Sequence, residues 1–203
     1  MNTCPEREDF TANFWGYYRM LENDCILLRR FVSFRKENLS TCSDEIVKQL
    51  LSAASEFDNL CKEITNIKNG RPTIVDYGKY FFSDSSSFDL KSVEVALRNS
   101  DIILVPFSKW GNKETDKMPW WNAYNLVKHN RNEYYHLGSL GNLLDAVAAL
   151  YFLERYHYKQ ISLSCSNSKL TVFDIPPDQS ELFYLKNFKT VAFNLGNGLI
   201  GTN

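Results

Sequence analysis

Residues 143–158 read LLDAVAALYFLERYHY, the most apolar stretch of the chain. The run from Leu140 to Leu153 is about 14 residues long and carries Asp145. A bilayer-spanning helix needs about 20 apolar residues, so this segment reads as a buried helix and not as a membrane span. It is apolar on nearly every side, which places it at the centre of a bundle, over about residues 139–158.

The flanking sequence supplies partners for such a helix. Phe10, Phe14, Tyr17, Tyr18, Leu21, Cys25, Leu28 and Val32 recur at three- and four-residue steps, and this predicts a helix over about 9–36. A second helix is expected over about 43–66. Ser43 can cap it, Asp44 and Glu45 suit its positive end, and Ile46, Leu50, Ala53, Ala54, Phe57, Leu60, Cys61 and Ile64 form its stripe. Gly70 and Pro72 stop it. Pro119 opens a third helix running to about 135. Between 91 and 107, SVEVAL and DIILVPF flank RNS and suggest a β-hairpin, although Leu90, Val93 and Leu97 also fit a helix over Asp89–Arg98. Residues 159–203 read as irregular with short strands, KLTVFDIPP among them, ending in a polar, frayed tail. The expected fold is mainly α (α+β): a single domain over 1–203, with four to five bundled helices and a small β-hairpin insertion.

Composition narrows the function. Lys plus Arg number 23 against 24 Asp plus Glu, a formal charge of -1, so no global positive field draws in nucleic acid or an anionic membrane. With 14 Phe, 11 Tyr and 4 Trp there is ample apolar surface to bury. The cysteines, Cys4, Cys25, Cys42, Cys61 and Cys165, are scattered without a CxxC pair, which suggests reduced thiols in a cytoplasmic protein. The opening MNTCPEREDF has no apolar core and is not expected to act as a signal peptide. The three histidines, without HExxH, give no metal site, and no cofactor is expected. No serine or cysteine stands in a nucleophile elbow. GNGLIG at 196–201 satisfies GxGxxG, but only two residues follow, leaving no room for the helix a dinucleotide site needs.

The stretch with the strongest claim to chemistry is KHNRNEYYHLG, residues 128–138. On one continuous helix, Asn125, His129, Asn132 and His136 share a side, while Arg131 falls among Trp120, Tyr124, Val127 and Tyr134. A guanidinium there must find acceptors. If the third and fourth helices turn back near Ser139, Asp145 is within reach and a structural ion pair results. In the functional reading, a fixed cation, an imidazole and amide side chains supply what metal-free RNA cleavage needs. The imidazole moves the 2'-hydroxyl proton and the cation stabilises charge on the phosphate. Lys109, Lys113, Lys117 and Lys128 could hold the backbone, and Trp120, Trp121, Tyr134 and Tyr135 could stack on unpaired bases.

RNEYYH at 131–136 resembles the R-polar-xxx-H motif of the HEPN superfamily of helical nucleotide-binding proteins, and HLGSLGNLLDAVAALYFL supplies the apolar helix that follows it there. The resemblance implies a metal-independent endoribonuclease, or a degenerate relative, acting on single-stranded RNA in phage defence or toxin–antitoxin systems. It makes Arg131 the phosphate-stabilising residue, Asn132 its polar helper and His136 the proton-transfer residue. Lys128, His129, Asn125, Trp121 and Tyr135 would contact RNA. Such proteins usually dimerise so that two motifs face each other, and a homodimer is therefore expected. Arg131 and His136 lie about 140° apart on a continuous helix, so they converge only if the helix ends by Tyr135 or across a dimer axis. WWNAYNLVKHNR is also similar to bacterial helical proteins in which the tryptophans and the KHxR part stand out, which moves interest to Lys128 and His129. A second function class, from composition, is a non-catalytic protein that docks a protein partner through its aromatic surface.

Overall fold

A computed structural model describes residues 5–67, 70–83, 89–164 and 180–186. Seven α-helical segments are described. These are α1 (Pro5–Asp9), α2 (Gly16–Leu28), α3 (Asp44–Thr65), α4 (Ile74–Phe81), α5 (Pro119–His129), the single turn α6 (Arg131–Tyr134) and α7 (Leu140–Ser164). A small antiparallel sheet is formed by β1 (Val95–Leu97), β2 (Ile103–Leu104) and β3 (Phe183–Leu185). The chain is mainly α with a β insertion. No described helix is long and apolar enough to cross a membrane.

Helix α7 is the axis, with Leu143, Leu144, Ala146 to Leu150 and Leu153 sealed from solvent. Its widest packing is with α3. The two helices start together, because an isolated antiparallel bridge joins Cys42 to Ser139 and the Leu140 amide donates to the Thr41 carbonyl at 2.8 Å. Ser43 caps α3 by accepting from the Ile46 amide, and Asn66 closes it in the left-handed region at φ 48°. Ser43→Ala should cost about 1 kcal/mol, the ordinary value of an N-cap. Urea unfolding reads this directly, and an unchanged midpoint would mean that the cap hydrogen bond contributes nothing. Helix α2 runs antiparallel to α3: Gln49 Nε2, in the second turn of α3, donates to the Asp24 carbonyl near the end of α2 at 3.2 Å.

The hairpin, and not the helix over 89–98, forms. Val95 pairs with Leu104 and Ala96 with Ile103, and Asn99 takes the left-handed turn position at φ 57°. Helical spacing winds only one 3-10 turn, Leu90–Ser92. The third strand comes from ELFYL, pairing Leu97 with Phe183 and Val95 with Leu185.

Several boundaries differ from expectation. The first helix begins at Pro5 and ends at Leu28, short of residue 36, because Phe34 turns inward and Arg29 reaches the hairpin, donating to the Arg98 carbonyl at 3.1 Å. Its turn Phe10–Trp15 is π-helical, the Gly16 amide bonding back to Thr11. The third helix does not run unbroken to 135. Asn130 leaves the helical region (φ −147°, ψ 78°) while its side chain donates to Glu133 at 2.8 Å, a local bond that competes with helix continuation. The central helix continues past 158 to Ser164. Helix α4 was not expected; its start is a capping box in which Thr73 and Asp76 bond reciprocally. KLTVFDIPP, GNGLIG, Cys165 and the tail lie outside the described residues.

Aromatic rings fill the space between α3, α5 and the 107–110 loop, with Phe57 at their centre. Trp110 and Trp120 are fully buried, and each indole N–H finds a carbonyl at 3.0 Å, that of Ile74 and Pro106 respectively.

Candidate functional site

The break at Asn130 converts 131–138 from the face of one continuous helix into a separate short turn at the end of the bundle where α3 and α7 begin. Arg131, Asn132, Glu133 and His136 are exposed, Tyr134 and Tyr135 half-buried. After α6 the chain tightens into a 3-10 turn, Tyr135–Leu137, and the Gly138 amide closes on the Tyr135 carbonyl at 2.9 Å.

This turn is clamped from two sides. The Cys42 thiol donates to the His136 carbonyl at 3.3 Å, and Asn142 Nδ2 donates to the Leu137 carbonyl at 2.8 Å. A side chain at Gly138 would run into Val47, so the turn lies flat on the start of α3. The Tyr135 phenol is pushed up by partial burial, then by the Asp44 carboxylate to which it bonds, while the nearby Arg131 charge opposes both. Asp44, Cys42 and Asn130 thus position the turn, and no motif in the sequence marks them.

The expected ion pair between Arg131 and Asp145 is not formed. Arg131 stands exposed, and among the described residues no cation approaches the Asp145 carboxyl, which burial pushes up to about 6. The continuous-helix geometry behind that expectation fails at Asn130, which turns Arg131 outward.

The residues expected to contact RNA divide. His129 and Lys128 are exposed. Lys128 lies over the Tyr124 ring at 5.2 Å and donates to its hydroxyl at 3.1 Å, an interaction that holds its pKa up. Asn125 is half-buried, its amide donating to the Trp121 carbonyl at 2.9 Å. Trp121 is packed between Trp120 and Tyr124 at 5.8 and 5.1 Å and is buried, so its ring is not an open stacking platform. The same burial of Trp120, Trp121 and Tyr124 removes the aromatic surface through which a protein partner was expected to dock at the third helix. Among the described residues no group of three His, Cys, Asp or Glu side chains converges to hold a metal ion.

No family model, no curated protein and no solved structure matches this chain. What the turn offers chemically is a guanidinium and an imidazole, six residues of chain from first to last, presented to solvent on a backbone clamped at its His136–Leu137 end.

Proposed function

We propose that the chain is a HEPN-like, metal-independent endoribonuclease acting on single-stranded RNA, as a homodimer in the cytoplasm and in the setting of phage defence or a toxin–antitoxin pair. The observation carrying this reading is that Arg131 and His136 are both exposed on one clamped turn, with Arg131 free of the buried acid that would have made it structural. The α-helical turn also ends at Tyr134 and a 3-10 turn carries His136, which supports one of the two ways the motif residues can converge, the other being a dimer axis.

In the reaction, His136 accepts the proton of a ribose 2'-hydroxyl. The 2'-oxygen attacks the adjacent phosphorus, the bond to the 5'-oxygen breaks, and the leaving oxygen takes a proton from the imidazolium of the partner subunit's copy or from water. Products are a 2',3'-cyclic phosphate and a 5'-hydroxyl. Arg131 stabilises the charge that builds on the nonbridging oxygens, and Asn132 orients the phosphate. Arg suits this role because it stays protonated and presents a planar fork of donors.

The test is incubation of purified protein with a mixed RNA pool in EDTA. Wild type should cleave and leave cyclic phosphate ends. Arg131→Ala and His136→Ala should each lose about 10²-fold or more in rate, the usual contribution of such groups. The melting temperature of Arg131→Ala should stay within about 1 °C of wild type, as for an exposed residue outside any network. Cleavage indifferent to His136 would remove the proton-transfer residue, and a large fall in melting temperature would make Arg131 structural.

A further inference from the structure

Sequence periodicity placed residues 29–36, RRFVSFRK, on a helix, but in the fold they leave it. Unwinding sends alternate groups in opposite directions. Phe34 turns inward and is buried, whereas Phe31 points out at 87% exposure, the largest value among the exposed large apolar side chains. Around it stand four cations, Arg29, Arg30, Arg35 and Lys36, on a chain whose formal charge is -1.

Two of these are engaged. Arg29 lies over the Phe34 ring at 5.2 Å and donates to the Arg98 carbonyl. Lys36 pairs with Asp101 at 2.8 Å, both largely exposed, so that pair holds little energy and can be exchanged. Arg30 and Arg35 are exposed, and their guanidinium groups have no ion-pair or hydrogen-bond partner among the described residues. Beside Arg35 a cavity of about 280 Å³ opens between this loop and the hairpin tip at Asn99 and Ser100.

A short run of chain joins the segment to the clamp on the Arg131–His136 turn. The chain continues from Arg35 to Leu39, whose carbonyl takes the Gly141 amide, and to Cys42, whose thiol holds the His136 carbonyl. Seven residues separate Arg35 from Cys42, so at most about 25 Å lies between them.

We propose that residues 29–36 bind single-stranded RNA beside the Arg131–His136 turn, with Arg30 and Arg35 on phosphates and Phe31 stacked on an unpaired base. For its substrate class this rests on the ribonuclease reading. The chemistry favours a nucleic acid strand over a lipid surface. One protruding ring and two unpaired guanidinium forks match a base and its phosphates. A membrane-lying helix needs a continuous apolar band, and here Asp24 interrupts the Met20, Leu27, Phe31 stripe while Glu37 and Asp101 border the cations.

A labelled 2'-deoxy oligonucleotide, which lacks the attacking hydroxyl and cannot be cut, separates binding from chemistry. Fluorescence anisotropy should show wild type binding this strand. The Arg30→Ala/Arg35→Ala protein should bind at least tenfold more weakly, with the slope of log affinity against log salt shallower by about 1.4, from about 0.7 per lost phosphate contact on a single strand. Phe31→Ala should lose about tenfold with the slope unchanged. Circular dichroism checks that these surface variants fold.

Unchanged affinity in the arginine and Phe31 variants overturns the proposal, as does wild type that fails to bind. Loss of binding to phosphatidylserine-containing vesicles in place of oligonucleotide overturns it equally, in favour of a lipid surface. If wild type never cleaves RNA but these substitutions still weaken binding, the ribonuclease reading fails and the binding segment stands.

Discussion

Phe57→Ala is expected to lower the unfolding free energy by about 3–5 kcal/mol, the range for truncating a buried Phe. The ring is fully buried and meets Trp120 edge-on at 4.9 Å and 87°, with Trp121 at 5.7 Å, Trp110 at 5.9 Å and Phe107 at 6.4 Å. Removing it strips one side from four aromatic neighbours, and rings this large cannot collapse into the hole without leaving their rotamers. For a chain of this size, the melting temperature should fall by roughly 10 °C. Thermal unfolding followed by near-ultraviolet circular dichroism checks this, since the tryptophans that report are the ones that lose their neighbour. A loss below about 1 kcal/mol would mean that Phe57 is not the hub that ties α3 to α5.

Glu154→Met is expected to stabilise the fold above neutral pH, by about 1–3 kcal/mol, the desolvation cost of an unpaired buried polar group. Glu154 is sealed inside α7 at 0% exposure, and neither carboxylate oxygen has a hydrogen-bond partner among the described residues. Burial, and then the Glu56 carboxylate facing it from α3, push its pKa well above the ordinary Glu range, so the folded state keeps it neutral. The unfolded chain releases that proton near pH ~4.3. Stability tied to the neutral acid is therefore complete below that pH and is lost as pH rises towards the folded value. Asp145, pushed up to about 6 by burial, loses stability in the same direction and finishes near that pH.

His157 acts the other way. It sits edge-on to Phe10 and Phe14, and its Nδ1 has no partner among the described residues; burial pushes it down to about 4. The unfolded chain takes up a proton below pH ~6.5 and the folded chain does not, so its contribution is lost as pH falls from there to about 4. The two slopes oppose each other in mildly acidic solution. Above about pH 6.5, where the His157 and Asp145 contributions have finished changing, the raised Glu154 carboxyl should make stability decline. Urea unfolding from about pH 6.5 upward should give a falling curve for wild type and a flatter one for Glu154→Met. Parallel curves would show that the carboxyl is ionised or paired in the folded protein.

The fold was legible where periodicity and caps agreed. Helix α3 lies within a residue of its expectation because Ser43, the acidic first turn and an unbroken stripe all point to one start. The centrality of α7 followed from apolar residues on every side. Periodicity failed where a tertiary or local bond outweighed it. The 29–36 segment carries helical spacing through Val32, yet Phe34 gains more by entering the core, and that exchange exposes Phe31 and frees Arg30 and Arg35. Asn130 has no signature as a breaker within KHNRNEY; its bond to Glu133 is visible only in three dimensions. Helix α4 is a short helix directly after Arg71 and Pro72, too short for periodicity to mark, and its T-x-x-D cap is the one local sign of it.

For the candidate site, residue types were legible and surroundings were not. The motif selected Arg131 and His136, but a helix drawn without the break set Arg131 against Asp145 and gave Trp121 to solvent. The structure reverses both placements. The positioning residues Cys42 and Asp44 lie some ninety residues away in sequence, beyond the reach of local patterning.

The measurement that bears most directly on the account is the cleavage rate of a double-variant set in EDTA: Arg131→Ala, His136→Ala and both together, with product ends identified. Groups that act on one phosphate work as a unit, so the double variant should be no slower than the worse single, and wild-type products should carry 2',3'-cyclic phosphate ends. Wild-type cleavage that survives His136→Ala, or losses that multiply as for independent sites, would contradict it.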